Sequence, residues 1–187
     1  MNNLLILSYV ALWILVAALY AAVFFLYRHF GQELLRRDST AELGGPVLGE
    51  EVNMTLMTID GESYRLGRET PLPHVILFAD PKCTYCNEIR PVLKDLASTD
   101  DYLRIVLVYS GDIESTRRYA WDISERIIAV SDPAREFAQN WKLKGVPYAV
   151  VTDDRGVIRE KGIASSSDRL NVLFERARQF NTVGTGV

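Results

Sequence analysis

Residues Leu4 to Leu26 carry no charged side chain. At about 1.5 Å rise per residue, a helix of this length spans the roughly 30 Å hydrocarbon core of a bilayer. A cleaved signal peptide would start with basic residues, carry a shorter apolar run and end at a small-x-small site. Met1, Asn2 and Asn3 offer no basic start, and the run is long. An uncleaved anchor over residues 1–27 is therefore expected, with the membrane contact at residues 4–27. Tyr9, Trp13 and Tyr20 are scattered along it and Tyr27 sits at its end. Arg28, Arg36 and Arg37 come after the span and nothing basic precedes it. The positive-inside tendency alone places the C-terminal domain in the cytoplasm.

The remainder suits one globular domain, since the chain has 187 residues in all. The net charge is −3, and Lys and Arg are interleaved with Asp and Glu, so no nucleic-acid partner is expected. Residues 28–50 read as a juxtamembrane linker, with a possible helical extension over Gln32 to Arg37. Gly44, Gly45, Pro46 and Gly49 break regular structure there. The domain is expected over 51–187. Val52 to Ile59 and Ser63 to Leu66 read as strands joined by a turn at Asp60 and Gly61. His74 to Ala79 is continuous and apolar, as a central strand covered on both faces would be. Cys83 to Leu96 reads as a helix kinked by Pro91. Tyr102 to Tyr109 and Arg126 to Val130 read as further strands, and Ile113 to Trp121 as a short helix. Asp132 and Pro133 read as N-cap and first residue of a helix reaching Trp141. Tyr148 to Thr152 and Val157 to Lys161 flank a hairpin at Asp153 to Gly156. Ser167 or Asp168 opens a closing helix to Phe180. Such alternation predicts an α/β domain with a mixed sheet and helices on both faces.

The chain holds two cysteines, Cys83 and Cys86. Two cannot build a disulfide framework of the small secreted kind. They lie between a buried strand and a helix start. Free N–H groups and the macrodipole there favour an anion, which would lower the pKa of Cys83 from about 8.5. Lys82 adds positive charge beside it. Cys86, one turn on, is expected to be the more buried partner. The pair can pass between dithiol and disulfide through a mixed disulfide, with Cys83 exchanging with the client and Cys86 resolving. A structural zinc site usually needs four ligands. The histidines, His29 beside the membrane and His74 at a strand start, do not complete one, so neither metal nor separate cofactor is expected. The redox group is the Cys83–Cys86 disulfide itself. An inert disulfide or idle thiols remain the bland alternative.

Pro147 directly precedes a strand, where a trans proline is the ordinary reading. The order strand, Cys-x-x-Cys helix, then Gly145, Val146 and Pro147 before a hairpin resembles the thioredoxin-like fold. The roughly sixty residues between Cys86 and Pro147 resemble its TlpA-type branch. Gly45, Pro46 and Gly49, the Pro81 to Cys86 motif, Val146 to Val150, and Gly156 to Ile163 are similar to the methylamine utilisation (MauD) group of that branch. The resemblance implies a cis Val146–Pro147 bond facing Cys83, with the Val146 backbone pairing to an extended substrate. It implies a domain on the periplasmic side of the inner membrane, against the arginine bias. It further implies a thiol–disulfide oxidoreductase acting on an exported client, such as a quinoprotein amine dehydrogenase subunit. A membrane-embedded electron-transfer partner is compatible with it.

Some residues depart from the family pattern. Lys82 replaces the Trp common before the first cysteine. Leu77 stands where thioredoxin has a buried proton-shuttling acid, which leaves Asp80, Glu88 or water for Cys86. Thr84 and Tyr85 are expected to tune the potential. Three other functions compete. An apocytochrome c thiol reductase is the nearest, and a non-catalytic docking or chaperone module would not need the cysteines. A peroxidase would want Thr where Asp80 stands. Trp121 and Trp141 are expected to pack in the core, His74 to sit at a strand edge, and Arg117, Arg118, Arg176 and Arg178 to line solvated helix faces. Ser165, Ser166 and Ser167 form a loop and cap, since no histidine is placed to activate them.

Overall fold

A computed structural model describes residues 6–25, 44–67, 72–99 and 101–182. The chain divides into two compact units, Met1–Glu42 and Leu43–Val187. Within the first, helix α1 (Ile6–Phe25) has a mean hydropathy of 2.3, and none of its 18-residue apolar window is buried. A helix apolar all round and uncovered by protein is long and apolar enough to cross a membrane. Tyr27, Arg28, His29, Arg36, Arg37 and the expected extension over 32–37 lie outside the described residues.

The second unit contains β1 (Met54–Met57), β2 (Ser63–Leu66), β3 (His74–Ala79), α2 (Thr84–Glu88), α3 (Arg90–Thr99), β4 (Arg104–Tyr109), α4 (Ile113–Trp121), β5 (Ile128–Ser131), α5 (Glu136–Asn140), β6 (Tyr148–Thr152), β7 (Ile158–Ile163) and α6 (Ser167–Thr182). Five strands form a sheet in the order β5-β4-β3-β6-β7, and β1 and β2 form a separate hairpin. β3 runs parallel to β4 and antiparallel to β6, so it is the seam of a mixed sheet.

Every residue of β3 is buried, because successive side chains feed opposite faces. Val75, Leu77 and Ala79 join Leu93, Leu170, Leu173 and Phe174 beneath α3 and α6. Ile76 and Phe78 join Leu56 and Leu66 of the hairpin, Tyr148, and Phe137 and Trp141 at α5. Fully burying one such side chain contributes roughly 1.5–3 kcal/mol, so a strand feeding two cores, as β3 does, is strongly held.

Local chemistry moved several expected boundaries. The single helix from Cys83 is two, interrupted at Ile89. Pro91 has no N–H and its ring crowds the carbonyl four residues back. Leu93 N–H restores the ladder onto the Ile89 carbonyl at 3.0 Å. The helix expected from Pro133 begins at Glu136 instead. Asp132 through Arg135 close a turn, and the Asp132 carboxylate accepts the Glu136 and Phe137 N–H groups at 2.8 and 3.1 Å. The Ser166 hydroxyl, rather than Ser167 or Asp168, accepts the Arg169 N–H at the start of α6. β7 extends to Ile163, with a register shift at Val151/Thr152.

Residues 44–50, at the end of the expected linker, are hydrogen-bonded to this unit. Gly45 N–H reaches Trp141 O at 3.0 Å and Gly49 N–H reaches Ile158 O at 2.8 Å. The Gly44 carbonyl accepts from the Tyr148 hydroxyl at 3.0 Å and Lys161 Nζ at 3.1 Å. Gly45 sits at φ +90°, and a Cβ there would lie 2.3 Å from the Tyr148 hydroxyl. Only glycine meets both demands.

Candidate active site

β3 ends at Ala79, and the chain turns through Asp80, Pro81 and Lys82 before α2. Two bonds hold the turn. Lys82 N–H donates to Asp80 Oδ1 at 2.8 Å, and Cys83 N–H donates to the Asp80 carbonyl at 3.1 Å. Cys83 is the N-cap of α2, with extended φ −91° and ψ 110°. It is disulfide-bonded to Cys86, the two Cα atoms 5.3 Å apart. The Cys86 N–H points at Cys83 Sγ from 3.1 Å. This is an unpaired first-turn donor aimed at the sulfur on which a thiolate forms upon reduction. Cys86 has no exposed surface, whereas Cys83 is half-buried, so Cys83 is the cysteine open to solvent.

The Val146–Pro147 peptide bond is cis. The Val146 carbonyl lies 3.6 Å from Cys83 Sγ, placing this loop against the disulfide as the resemblance implied. Lys82, Thr84 and Glu88 are exposed, and Tyr85 is 56 % exposed beside the cysteines. Leu77 is fully buried in the same apolar cluster as Cys86, so β3 presents no acid toward the buried sulfur.

Tyr109, Tyr119, Arg90 and Arg135, which the sequence did not single out for the site, complete the surroundings together with Asp80. Asp80 is only 5 % exposed and is ion-paired with Arg135. The Tyr119 hydroxyl donates to the Cys86 carbonyl at 2.5 Å, tying α4 to the second cysteine. Tyr109 stacks on Tyr119 with ring centroids 4.7 Å apart. Arg90 lies over the Tyr119 ring at 5.6 Å. Burial pushes both phenols upward; the Asp80 carboxylate adds to this at Tyr109, and Arg90 opposes it at both. Both therefore stay protonated, and Tyr119 keeps the proton it donates to the Cys86 carbonyl. No spacing rule links positions 80, 109, 119 and 135, because separate elements bring them together.

Other expected residues lie away from this site. His74 is at the opposite end of β3 and is wholly buried, not at a strand edge. Its Nε2 meets the Tyr64 hydroxyl at 2.8 Å. Burial, then the Arg104 charge, lowers its pKa to about 4, so it is neutral at pH 7. Trp141 packs on Phe78 as expected, at 5.4 Å. Trp121 does not pack in the core: it is 67 % exposed at the end of α4. Arg176 is not a solvated face residue but pairs with buried Glu160. Among the described residues, no group of three or more His, Cys, Asp or Glu is placed to hold a metal ion.

Residues 65–178 match the family model of the thioredoxin-like domain. The chain belongs to that family, and its Cys-x-x-Cys disulfide makes it a thiol–disulfide oxidoreductase. It is similar to the methylamine utilization protein MauD of Methylophilus methylotrophus, 29 % identical over 95 % of this chain and 86 % of that one. MauD of Methylobacillus flagellatus is 27 % identical over 95 % and 88 %. In structure, the chain is similar to a secreted Mycobacterium tuberculosis disulfide oxidoreductase described as homologous to Escherichia coli DsbE. That likeness has a TM-score of 0.55 and 18 % identity, covers 66 % of this chain and 96 % of that one, and bears on the fold.

Proposed function

We propose that this protein is a membrane-anchored oxidoreductase whose catalytic domain faces the periplasm and serves a dedicated exported client. The observation that carries the reading is the geometry at Cys83: an accessible sulfur at a helix start, a buried resolving sulfur, and the Val146 carbonyl beside them. In the oxidising direction, a client thiolate attacks Cys83 Sγ. The S–S bond breaks and Cys86 leaves as a thiolate that takes a proton. The client's second thiolate then attacks the mixed disulfide, releasing Cys83 as thiolate and leaving the client oxidised. The reducing direction runs through the same intermediates in reverse. The Val146 carbonyl lies beside Cys83, which supports a reading in which Val146 and Pro147 bind the client, an extended segment pairing with the Val146 backbone. Similarity to MauD over nearly the whole chain supports a client connected with methylamine utilisation, such as a disulfide-rich amine dehydrogenase subunit. The uncovered apolar helix α1 supports anchoring in the inner membrane.

Replacing Cys86 by Ser should trap the client on Cys83 as a mixed disulfide, recoverable on a non-reducing gel and identifiable by mass spectrometry. Replacing Cys83 by Ser should abolish both the adduct and client maturation. Undiminished maturation by C83S would exclude the redox reading in favour of a docking role. An alkaline phosphatase reporter fused after Val187 should be active; an inactive one would place the domain in the cytoplasm.

A further inference from the structure

Asp80 is a buried carboxylate three residues from a sulfur that must carry negative charge during exchange. Its carbonyl and Oδ1 both hold the turn leading to Cys83. An anion there helps to shape the site but disfavours a neighbouring thiolate. Its other oxygen meets the Arg135 guanidinium, which comes from the loop before α5. Arg135 sits at φ 58°, ψ 31°, in the left-handed region that side chains rarely adopt. Its own N–H bonds the Asp132 carbonyl at 3.0 Å, holding that conformation. A charged residue kept in an unfavourable backbone conformation, with its charge on the buried acid that holds the Cys83 turn, points to a role in the site.

We propose that Arg135 and Asp80 are a positioning pair: Asp80 shapes the Cys83 turn, and Arg135 cancels its charge so that the thiolate remains favoured. The inference deepens the proposed function and rests on Cys83 being the attacking thiol. The other charged or titratable groups on the elements meeting there include Lys82, Tyr85 and Glu88 at α2, Arg90 of α3, Tyr109 of β4, Asp112 after it, Tyr119 of α4, Asp132, Glu136 of α5 and Lys144. Asp112 accepts the Ser115 N–H and Asp132 caps α5. Lys82, Glu88 and Lys144 have exposed side chains that water screens. Asp132 is also buried, but its two oxygens are taken by the α5 N–H groups, whereas Asp80 holds the Cys83 turn and has Arg135 as its charged partner.

The test is the pH dependence of iodoacetamide alkylation of reduced, full-length protein in detergent, read cysteine by cysteine by peptide mapping. Arg135→Ala should raise the Cys83 midpoint by about half a unit to one unit, and Asp80→Asn should lower it by a similar amount. The double variant should return close to wild type. The reduction potential against glutathione should fall in R135A and rise in D80N, since a stabler thiolate favours the reduced form. Arg135→Gly removes the charge while suiting the left-handed backbone, so it should raise the midpoint as R135A does but lower Tm less, because only the loss of the Asp80 partner remains. R135K should keep the wild-type midpoint. Shifts of the same sign in R135A and D80N, or an unmoved midpoint in R135G, would overturn the pairing while leaving Cys83 as nucleophile. Alkylation of Cys86 ahead of Cys83 in the wild type would overturn both readings.

Discussion

At the residue scale, several side chains are held by a single decisive contact. His74 enters the fold neutral, with a pKa of about 4 against 6.5 in the open chain. Between those values the unfolded chain binds a proton that the folded chain refuses, so stability rises with pH across the window. It should be full above pH 6.5 and fall toward pH 4, by on the order of 3 kcal/mol. Urea titrations at stepped pH should show this slope in wild type and lose most of it in His74→Gln, which cannot titrate. Tyr119→Phe removes the donor to the Cys86 carbonyl while keeping the ring stack. It should cost about 1 kcal/mol of stability by denaturant midpoint. An unchanged midpoint would mean that water replaces the hydroxyl. Neither role was legible in the sequence, where His74 and Tyr119 are ordinary members of a strand and a helix. Their partners are set by elements that pack side by side only after folding. Cys83 and Cys86 were legible because three-residue spacing at a strand–helix junction fixes their relation locally.

At the scale of elements, regular structure was legible where burial and local bonding agree. β2, β3, α4 and β6 fall where their patterns place them, because each is a short run whose burial or capping is decided within its own residues. The start of α5 was not legible because two local choices compete. Asp132 and Pro133 form an ordinary helix start, yet Asp132 also continues the line of β5, with its N–H on the Tyr109 carbonyl at 2.8 Å. That bond fixes Asp132 in line with the sheet. The carboxylate then reaches forward past a turn to cap Glu136 and Phe137. Replacing Asp132 by Ala should therefore destabilise the domain by about 2 kcal/mol, measured by thermal or urea unfolding. A loss under about 0.5 kcal/mol, the size of an ordinary surface change, would show that the cap is dispensable. Pro91 disturbs its helix as its chemistry predicts, and the disturbance is a break between α2 and α3. The break leaves Ile89 fully buried between the two helices, in contact with the same core as Cys86. Ile89→Ala should cost about 2–5 kcal/mol by urea unfolding, since the cavity lies beneath both segments.

On the scale of the whole molecule, the chain pairs an apolar helix with a mixed-sheet redox domain. Gly44–Glu50 contribute hydrogen bonds to Trp141, Tyr148, Ile158 and Lys161. A fragment beginning at Gly44 should therefore be more stable than one beginning at Glu51. At about 1 kcal/mol per lost bond, the difference should reach roughly 4–5 kcal/mol in urea unfolding. Equal stabilities would place the true domain start after residue 50. The uncharged run from Leu4, the near-neutral charge balance, the alternation of strands and helices, and the dithiol between a buried strand and a helix are all properties of neighbouring residues. Covalent order and local hydrophobic pattern are enough to determine them, and so the sequence by itself determined the apolar helix, the fold class and the reactive pair. The seating of the Val146 carbonyl against Cys83, the pairing of Asp80 with Arg135 and the Tyr119 bond to Cys86 join positions 63, 55 and 33 residues apart. Only the tertiary structure decided these, because contacts across such loops depend on which faces bury together, and no local pattern records that choice.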